Sequence, residues 1–543
     1  MSWTRCANGR VARLWPALMF LGAGLHFVSF DLVHQPIATD ISFYLYYAAR
    51  TAHGDLPYVD FFEHKTPLGI YAGAWLYQLG EALGVDPLYA IRAGYLLLAA
   101  LTATVMGVIF ARLKNNRPLA GWIGLFAFCG FGLLGVMPAA GNIPKMIGML
   151  GAGLSMLAVD RRRWIWAGIW AGVAGLDWQP CGAAVGAGVL LAALCTSHRF
   201  RSACRAVVGM ALPFLPVLAY FAIKGALGTF LNMIFVTSLT KASQDPMSFG
   251  DRCDMIFWML GWYCVDEMWL AVAAGVGLLW FLVFLVRRIK TRRSPFLVGL
   301  ACYHYGVIAF SLADFQGHGD LFIMEGSMAF FAGVTLVGLY YGLRRACLRF
   351  GGRRARASRP VLATAAMLAL LVLVRPSFLR AGWRVNHPPI APDGTTLSAQ
   401  RDVAKKFFQV VGDGDVLLVR QQELLFLGKG TNCLGFVTWN QGTYSHLKQG
   451  DEDMMATFAR LAKPADPDAL IIPEPWLADL GSSPLGAWLL PDYRCLKVTS
   501  DDGVYEAYVW YRRTLPIPTV PGVQFMDPSA FRRVYVAPPE EAQ

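Results

Sequence analysis

Residues 39–68 read TDISFYLYYAARTAHGDLPYVDFFEHKTPL, and this stretch lies between an apolar run at about 14–30 and another at about 88–110. A helix needs about 20 apolar residues to cross the hydrocarbon core of a bilayer, somewhat fewer when flanking side chains snorkel. The two runs therefore read as membrane spans. The stretch between them is too apolar and aromatic for a solvated linker, and it belongs to a long first loop at about 31–87. That loop carries Asp31, Asp40, Asp55, Asp60, Glu63, Glu81 and Asp86 against Arg50 and Lys65.

Outward from the loop the same alternation continues. Apolar segments at 14–30, 88–110, 119–137, 145–159, 163–177, 180–196, 207–223, 266–286, 295–312, 321–342 and 360–376 give an α-helical polytopic membrane protein of about eleven spans. Asp177-Trp178-Gln179-Pro180 reads as the polar turn of a tight helical hairpin. The first segment, preceded by Arg5, Arg10 and Arg13, reads as a retained signal anchor.

Composition agrees. Of the 543 residues 56% are hydrophobic and 15% charged, with a mean hydropathy of +0.44, which excludes a string of ordinary soluble domains, intrinsic disorder and collagen. The formal charge of +12 suggests nucleic acid until the basic residues are located. Clusters at Arg112–Arg117, Arg161–Arg163, Arg199–Arg205, Arg287–Arg293 and Arg344–Arg359 all fall on one side of the alternating spans, as the positive-inside rule requires. They are topological anchors, and no nucleic-acid partner is expected. This orientation places the N-terminus in the cytoplasm. It puts the first loop and everything after about residue 377 on the outer face of the membrane.

Past the last span the composition changes to mixed charge with Pro-rich punctuation near Asn386-His387-Pro388-Pro389. The chain thus divides into a membrane domain at 1–376 and an extracytoplasmic α/β domain at 377–543. In the latter an amphipathic helix at Ser398 to Val411 leads to strands at 416–419, 435–438 and 469–472. A hairpin at 494–511 turns on Ser500-Asp501-Asp502-Gly503, because Asp-Gly accepts positive φ. Cys433 and Cys495 lie in this domain, and spacing alone leaves their pairing open.

Phe43, Tyr44 and Tyr47 fit an interfacial helix with its rings in lipid, holding Asp40 near the membrane surface. There Asp40 suits two roles, capping that helix or taking the proton of an acceptor hydroxyl. Glu63-His64-Lys65 supplies an acid, a titratable ring and a fixed cation. Lys65 fits a phosphate as a point charge or a headgroup-seeking snorkel. Arg92, an intramembrane charge, is a candidate by default, unless it pairs with Asp86.

Together, Asp40, the aromatic helix, Gly54-x-x-Pro57-Tyr58 and Lys65-x-Pro67-Leu68 resemble the first outer loop of GT-C superfamily membrane glycosyltransferases. The likeness is to the protein O-mannosyltransferase and aminoarabinose-transferase-like bacterial branch. It implies an inverting transfer of a sugar from a polyprenyl-phosphate donor to an extracytoplasmic acceptor, whether protein, lipid or polysaccharide. Asp40 is then the catalytic residue, as general base or acceptor-orienting acid, and Lys65 the donor-phosphate ligand, assisted by His64 and by His318, which stands where many relatives have a His-Tyr pair; Asp320 departs from the Tyr. Glu63, Tyr58, Arg92, Asn142, Trp178 and Gln179 are candidate substrate contacts. Relatives often carry an acid where this chain has Gly141-Asn142-Ile143-Pro144-Lys145, and a Lys where Trp178 stands. With that acid missing no metal ligand is assigned and no cofactor is certain, while a divalent metal (Mg or Mn) and a catalytically inactive binding relative stay open. A lipid-linked-sugar flippase would instead place its polar groups at the bilayer midplane.

Overall fold

The computed structural model describes residues 3–37, 39–238, 248–263, 268–288, 294–315, 317–350, 394–436, 439, 441–517 and 519–526. The expected span at 360–376 and the domain boundary near 377–389 lie outside the described residues, as do Lys241, Asp245, Asp266 and Glu267 of the outer loops.

The chain opens with α1 (Trp3–Val28), α2 (Thr39–Ala52) and α3 (Leu68–Ala82), followed by α4 (Pro87–Leu113). Asp86 caps α4, its carboxylate accepting from the Leu88 amide at 2.9 Å, and Pro87 supplies a first-turn residue that needs no N–H partner. Then come α5 (Pro118–Cys129), α6 (Leu133–Ala140), α7 (Lys145–Asp160), α8 (Trp164–Asp177), α9 (Gln179–Leu194), α10 (Arg199–Ala211) and α11 (Phe214–Ile223). Beyond a short α12 (Leu227–Leu231) and a π-turn lie α13 (Phe249–Tyr263), α14 (Met268–Arg288), α15 (Ser294–Ala313) and α16 (His318–Phe350).

The ten expected spans that fall wholly or mostly within the described residues are largely helical, 119–137 with a break at 130–132, and five helices there, α10 and α11 counted as one, are both long and apolar enough to cross a membrane by themselves. A sixth joins them if α5 and α6, bent by 61°, count as one. The expected number of eleven is not reached on that measure. The reason is length: α7, α8 and α9 are 16, 14 and 16 residues long, short of the usual spanning range. Residues 177–180 do form a hairpin turn, since Trp178 is extended at φ −153° and separates α8 from α9. Small residues let the helices meet closely; a β-carbon on Gly168 would lie 2.1 Å from the Ala206 carbonyl oxygen of α10.

The C-terminal part packs a five-stranded sheet, β1 (Val416–Leu418), β2 (Ala469–Ile471), β3 (Tyr493–Thr499), β4 (Glu506–Arg512) and β5 (Val523–Met526), in the order β1-β2-β4-β3-β5. β1 and β2 are parallel and the rest antiparallel. The hairpin closes as expected, with Gly503 at φ +73°. The amphipathic helix α17 (Leu397–Val411) starts from Thr396, whose side chain accepts from the Ala399 amide. No strand forms at Gly435, whose carbonyl instead accepts the Phe62 amide at 2.6 Å. Cys433 and Cys495 are both free thiols.

The aromatic face of α2 is not in lipid. Tyr44, Tyr46 and Tyr47 are 3%, 1% and 3% exposed, and their rings join Phe61, Val403, Phe407 and Leu424 in a core shared with the C-terminal part. This corrects the expectation of an interfacial anchor. The helix has apolar partners in protein on the side where lipid was expected, because α17 and α18 (Glu423–Gly428) cover it. Glu423 is buried at this junction and accepts from the Tyr505 hydroxyl.

Burial raises the Glu423 carboxyl above its ordinary range. A folded value above the unfolded one means that its contribution is present below the unfolded pKa and is lost as pH rises through the folded value. In thermal unfolding of the full chain in detergent, Glu423→Gln is expected to gain stability relative to the wild type as pH rises from about 4 to about 8. Equal slopes would contradict this.

Candidate functional site

One cavity of about 1060 Å³ lies where α2, the 62–65 segment, the start of α7, the α8–α9 turn, α15 and the start of α16 converge. Its polar end is lined by Asp40, Tyr44, Glu63, His64, Lys65, Lys145, Asp177, Asp314 and Asp320. An apolar limb runs between α9 and α15 past Ala183, Ala184, Ala187, Gly306 and Ala309.

Asp40 stands in the first turn of α2, where the helix dipole favours a carboxylate, and it also faces the cavity. Asp40 is the second residue of the helix and so lies inside it rather than capping it. Glu63 folds back on the chain, its Oε1 accepting from the His64 and Lys65 amides at 2.8 and 2.9 Å, which fixes the turn presenting Lys65. The Lys65 ammonium donates to the Tyr44 hydroxyl and lies 5.0 Å from the centre of that ring. Burial, with the Glu63 and Asp40 carboxylates nearby, pushes the Tyr44 phenol up, so it remains protonated and keeps a proton to donate. Gln179 and Ser238 both donate to the His64 carbonyl, at 2.9 and 2.8 Å, tying the 62–65 segment to α9. Trp178 lines the cavity, edge-on to Phe310.

The Gly54-x-x-Pro57-Tyr58 pattern has a structural basis. Gly54 and Tyr58 hold positive φ of +110° and +72°, Arg50 pairs with Asp55, and the Tyr58 hydroxyl donates to the Lys65 carbonyl at 2.7 Å. Tyr58 thus supports Lys65 from behind while its ring packs on Phe221 and Phe230.

Two other candidates lie away from the cavity. Asn142 is fully buried and donates to the Tyr44 and Gly69 carbonyls at 3.4 and 3.3 Å, joining α2 to α3. Arg92, also fully buried, donates to the carbonyls of Ala140 at 3.0 Å, Leu32 at 2.9 Å and Gln35 at 2.5 Å. It does not pair with Asp86, whose partner is Arg401 at 2.5 Å. His318 opens α16 at the cavity's edge, but its side chain lies outside the described residues.

Sequence reasoning missed Lys145 as a site residue. Its ammonium is 2.5 Å from Asp320 Oδ1 and 4.7 Å from the centre of the Trp178 ring. The signal was available as a lysine opening an apolar run, but the partner is 175 positions away. Among the described residues no group of three or more His, Cys, Asp or Glu side chains comes together to hold a metal ion. Asp320 is engaged by Lys145 and Glu63 by two amides.

No family model matches the chain, and no curated protein matches it. Among solved structures it is similar to ArnT from Cupriavidus metallidurans in the apo state, with 16% identity, a TM-score of 0.57, and coverage of 94% of this chain and 99% of that one. It is similarly related to the same protein bound to undecaprenyl phosphate, with 16% identity, a TM-score of 0.55, and coverage of 94% and 100%. The chain is a multi-pass membrane protein with the GT-C fold, a helical membrane part followed by a C-terminal α/β part.

The setting of Arg92 predicts a structural role. Arg92→Leu strands three backbone carbonyls and is expected to cost about 3 kcal/mol or more of stability, read as a lowered unfolding temperature in detergent. Unchanged stability with altered ligand binding would instead make it a site residue.

Proposed function

We propose that the protein is an integral membrane glycosyltransferase that moves a sugar from a polyprenyl-phosphate donor to an acceptor hydroxyl outside the cytoplasm, with inversion. The observation that carries this reading is the amphiphilic cavity, which has Asp40 and Lys65 at one end and a small-residue apolar limb between α9 and α15 at the other. That shape suits a phosphate with a lipid tail, and ArnT, which shares the fold, has been crystallised with undecaprenyl phosphate.

In the proposed step Lys65 holds the donor phosphate, with His64 and His318 in the assisting roles that the first-loop resemblance implies. Asp40 takes the proton of the acceptor hydroxyl as the acceptor oxygen bonds to the anomeric carbon. The bond from that carbon to the phosphate oxygen breaks on the opposite face, and polyprenyl phosphate leaves with the electron pair. Trp178 and Gln179 border the sugar, while Glu63, Tyr58 and Asn142 act by fixing the loop and α2. Inversion follows because one displacement joins the two faces of a single carbon.

The assignment places the membrane domain at 1–376 and the α/β domain at 377–543. The first loop and the α/β domain then lie on the outer side of a bacterial inner membrane, with the N-terminus in the cytoplasm. The acceptor is a protein, lipid or polysaccharide that reaches the outer mouth.

The test is transfer from a panel of polyprenyl-phosphate sugars by the purified protein in lipid. Asp40→Asn is expected to abolish turnover while donor binding and folding persist, and Lys65→Ala to weaken donor binding about tenfold or more. A wild-type protein that binds no donor, or turnover that survives Asp40→Asn, would overturn the assignment.

A further inference from the structure

We infer that Lys145 is a second cation for the donor phosphate, held ready by Asp320; this rests on the proposed transfer and extends it to a residue that the sequence did not single out. Lys65 and Lys145 are the two lysines among the described residues lining the cavity, no arginine among them lines it, and the carboxyl groups of Asp40, Glu63, Asp314 and Asp320 share the same walls. A phosphate entering so acidic a space is repelled over short distances in a poorly screened medium. One ammonium does not offset that repulsion.

Geometry places the second ammonium where it can act. Lys145 is 8% exposed and its Nζ lies 2.5 Å from Asp320 Oδ1. A lysine ammonium carries three N–H donors, so this pairing leaves others for a ligand. The ring of Trp178, 4.7 Å away, gives the ammonium a further favourable face without consuming a donor. A β-carbon on Gly319 would stand 3.3 Å from Lys145 Nζ and 3.6 Å from Asp40 Oδ2, so the absence of a side chain there lets the cation and the proton acceptor border one space. Lys145 therefore sits beside the group that receives the acceptor's proton. A cation that lines the same polar end as Lys65 stabilises the charge that builds on the phosphate as its bond to the sugar breaks.

Asp320 keeps the ammonium from being an unpaired buried charge before the donor arrives. It also competes with the phosphate for that ammonium. The two partners thus have opposite expected effects on affinity, which a purely structural ion pair would not have.

The experiment measures binding of polyprenyl phosphate, with polyprenol as the uncharged control, to the full-length protein in lipid nanodiscs. The proteins compared are the wild type, Lys65→Ala, Lys145→Gln, Asp320→Asn and the double variant Lys145→Gln/Asp320→Asn. Lys145→Gln is expected to weaken polyprenyl phosphate binding about tenfold or more and to leave polyprenol binding unchanged. The double variant removes the ion pair without leaving a lone charge, so it tests the inference even if Lys145→Gln folds poorly. It is expected to remain weak for the phosphate, whereas Asp320→Asn binds it at least as well as the wild type. Wild-type affinity in the double variant would show the pair to be structural and overturn the inference. So would a loss limited to Lys65→Ala. Absence of phosphate binding by the wild type would instead remove the transfer reading itself.

Discussion

The arrangement depends on one constraint: α2 is clamped on two sides, by the membrane helices below and the C-terminal α/β part above. From above, the Gln400 side chain both accepts from and donates to the Ile37 backbone, at 2.9 and 3.0 Å. Ser42 donates to Gln422 at 3.3 Å, and the Tyr46 hydroxyl accepts the Asn432 amide at 2.7 Å. From below, Asn142 reaches the Tyr44 carbonyl. Because these bonds are buried, breaking any one leaves a polar group without water to replace its partner. The helix that carries Asp40 and Tyr44 is thereby fixed, and fixed placement is what positioned acid–base chemistry requires.

The same clamp explains how a loop between two spans becomes a wall of a cavity. Phe62 pairs its amide with Gly435 of the C-terminal part, and the next three residues turn inward, with Glu63 holding the backbone of His64 and Lys65. Lys65 then meets Tyr44, returning the chain to α2. Opposite stand Lys145 and Asp320, contributed by the starts of α7 and α16. These groups are thus gathered from separated stretches of the chain, and the apolar limb extends from them between α9 and α15.

Much of this is legible in the sequence where the determinants are local. The break at Trp178-Gln179-Pro180, the amphipathic helix ending at Val411 and the hairpin on Asp502-Gly503 each follow from a few adjacent residues. Asp40, Glu63, His64, Lys65, Trp178 and Gln179 stand out from the sequence alone, and all six line one cavity. The failures involve distance along the chain. The tyrosines of α2 have the composition of a lipid anchor, and nothing local says that α17 covers them. Arg92 resembles a functional charge until three carbonyls from two distant segments are seen around it. The Lys145–Asp320 pair is beyond reach for the same reason. Short helices such as α8 meet their neighbours through small residues, so hydropathy suggests a span where length alone does not establish one.

Transfer from a lipid donor requires its phosphate to rest beside Lys65, so the most direct measurement is a structure of the full chain in nanodiscs with polyprenyl phosphate bound. Phosphate density is expected within hydrogen-bonding distance of Lys65 Nζ, at the polar end of the cavity, with the tail leaving between α9 and α15. Phosphate held elsewhere, with the cavity's polar end filled by solvent, would contradict it.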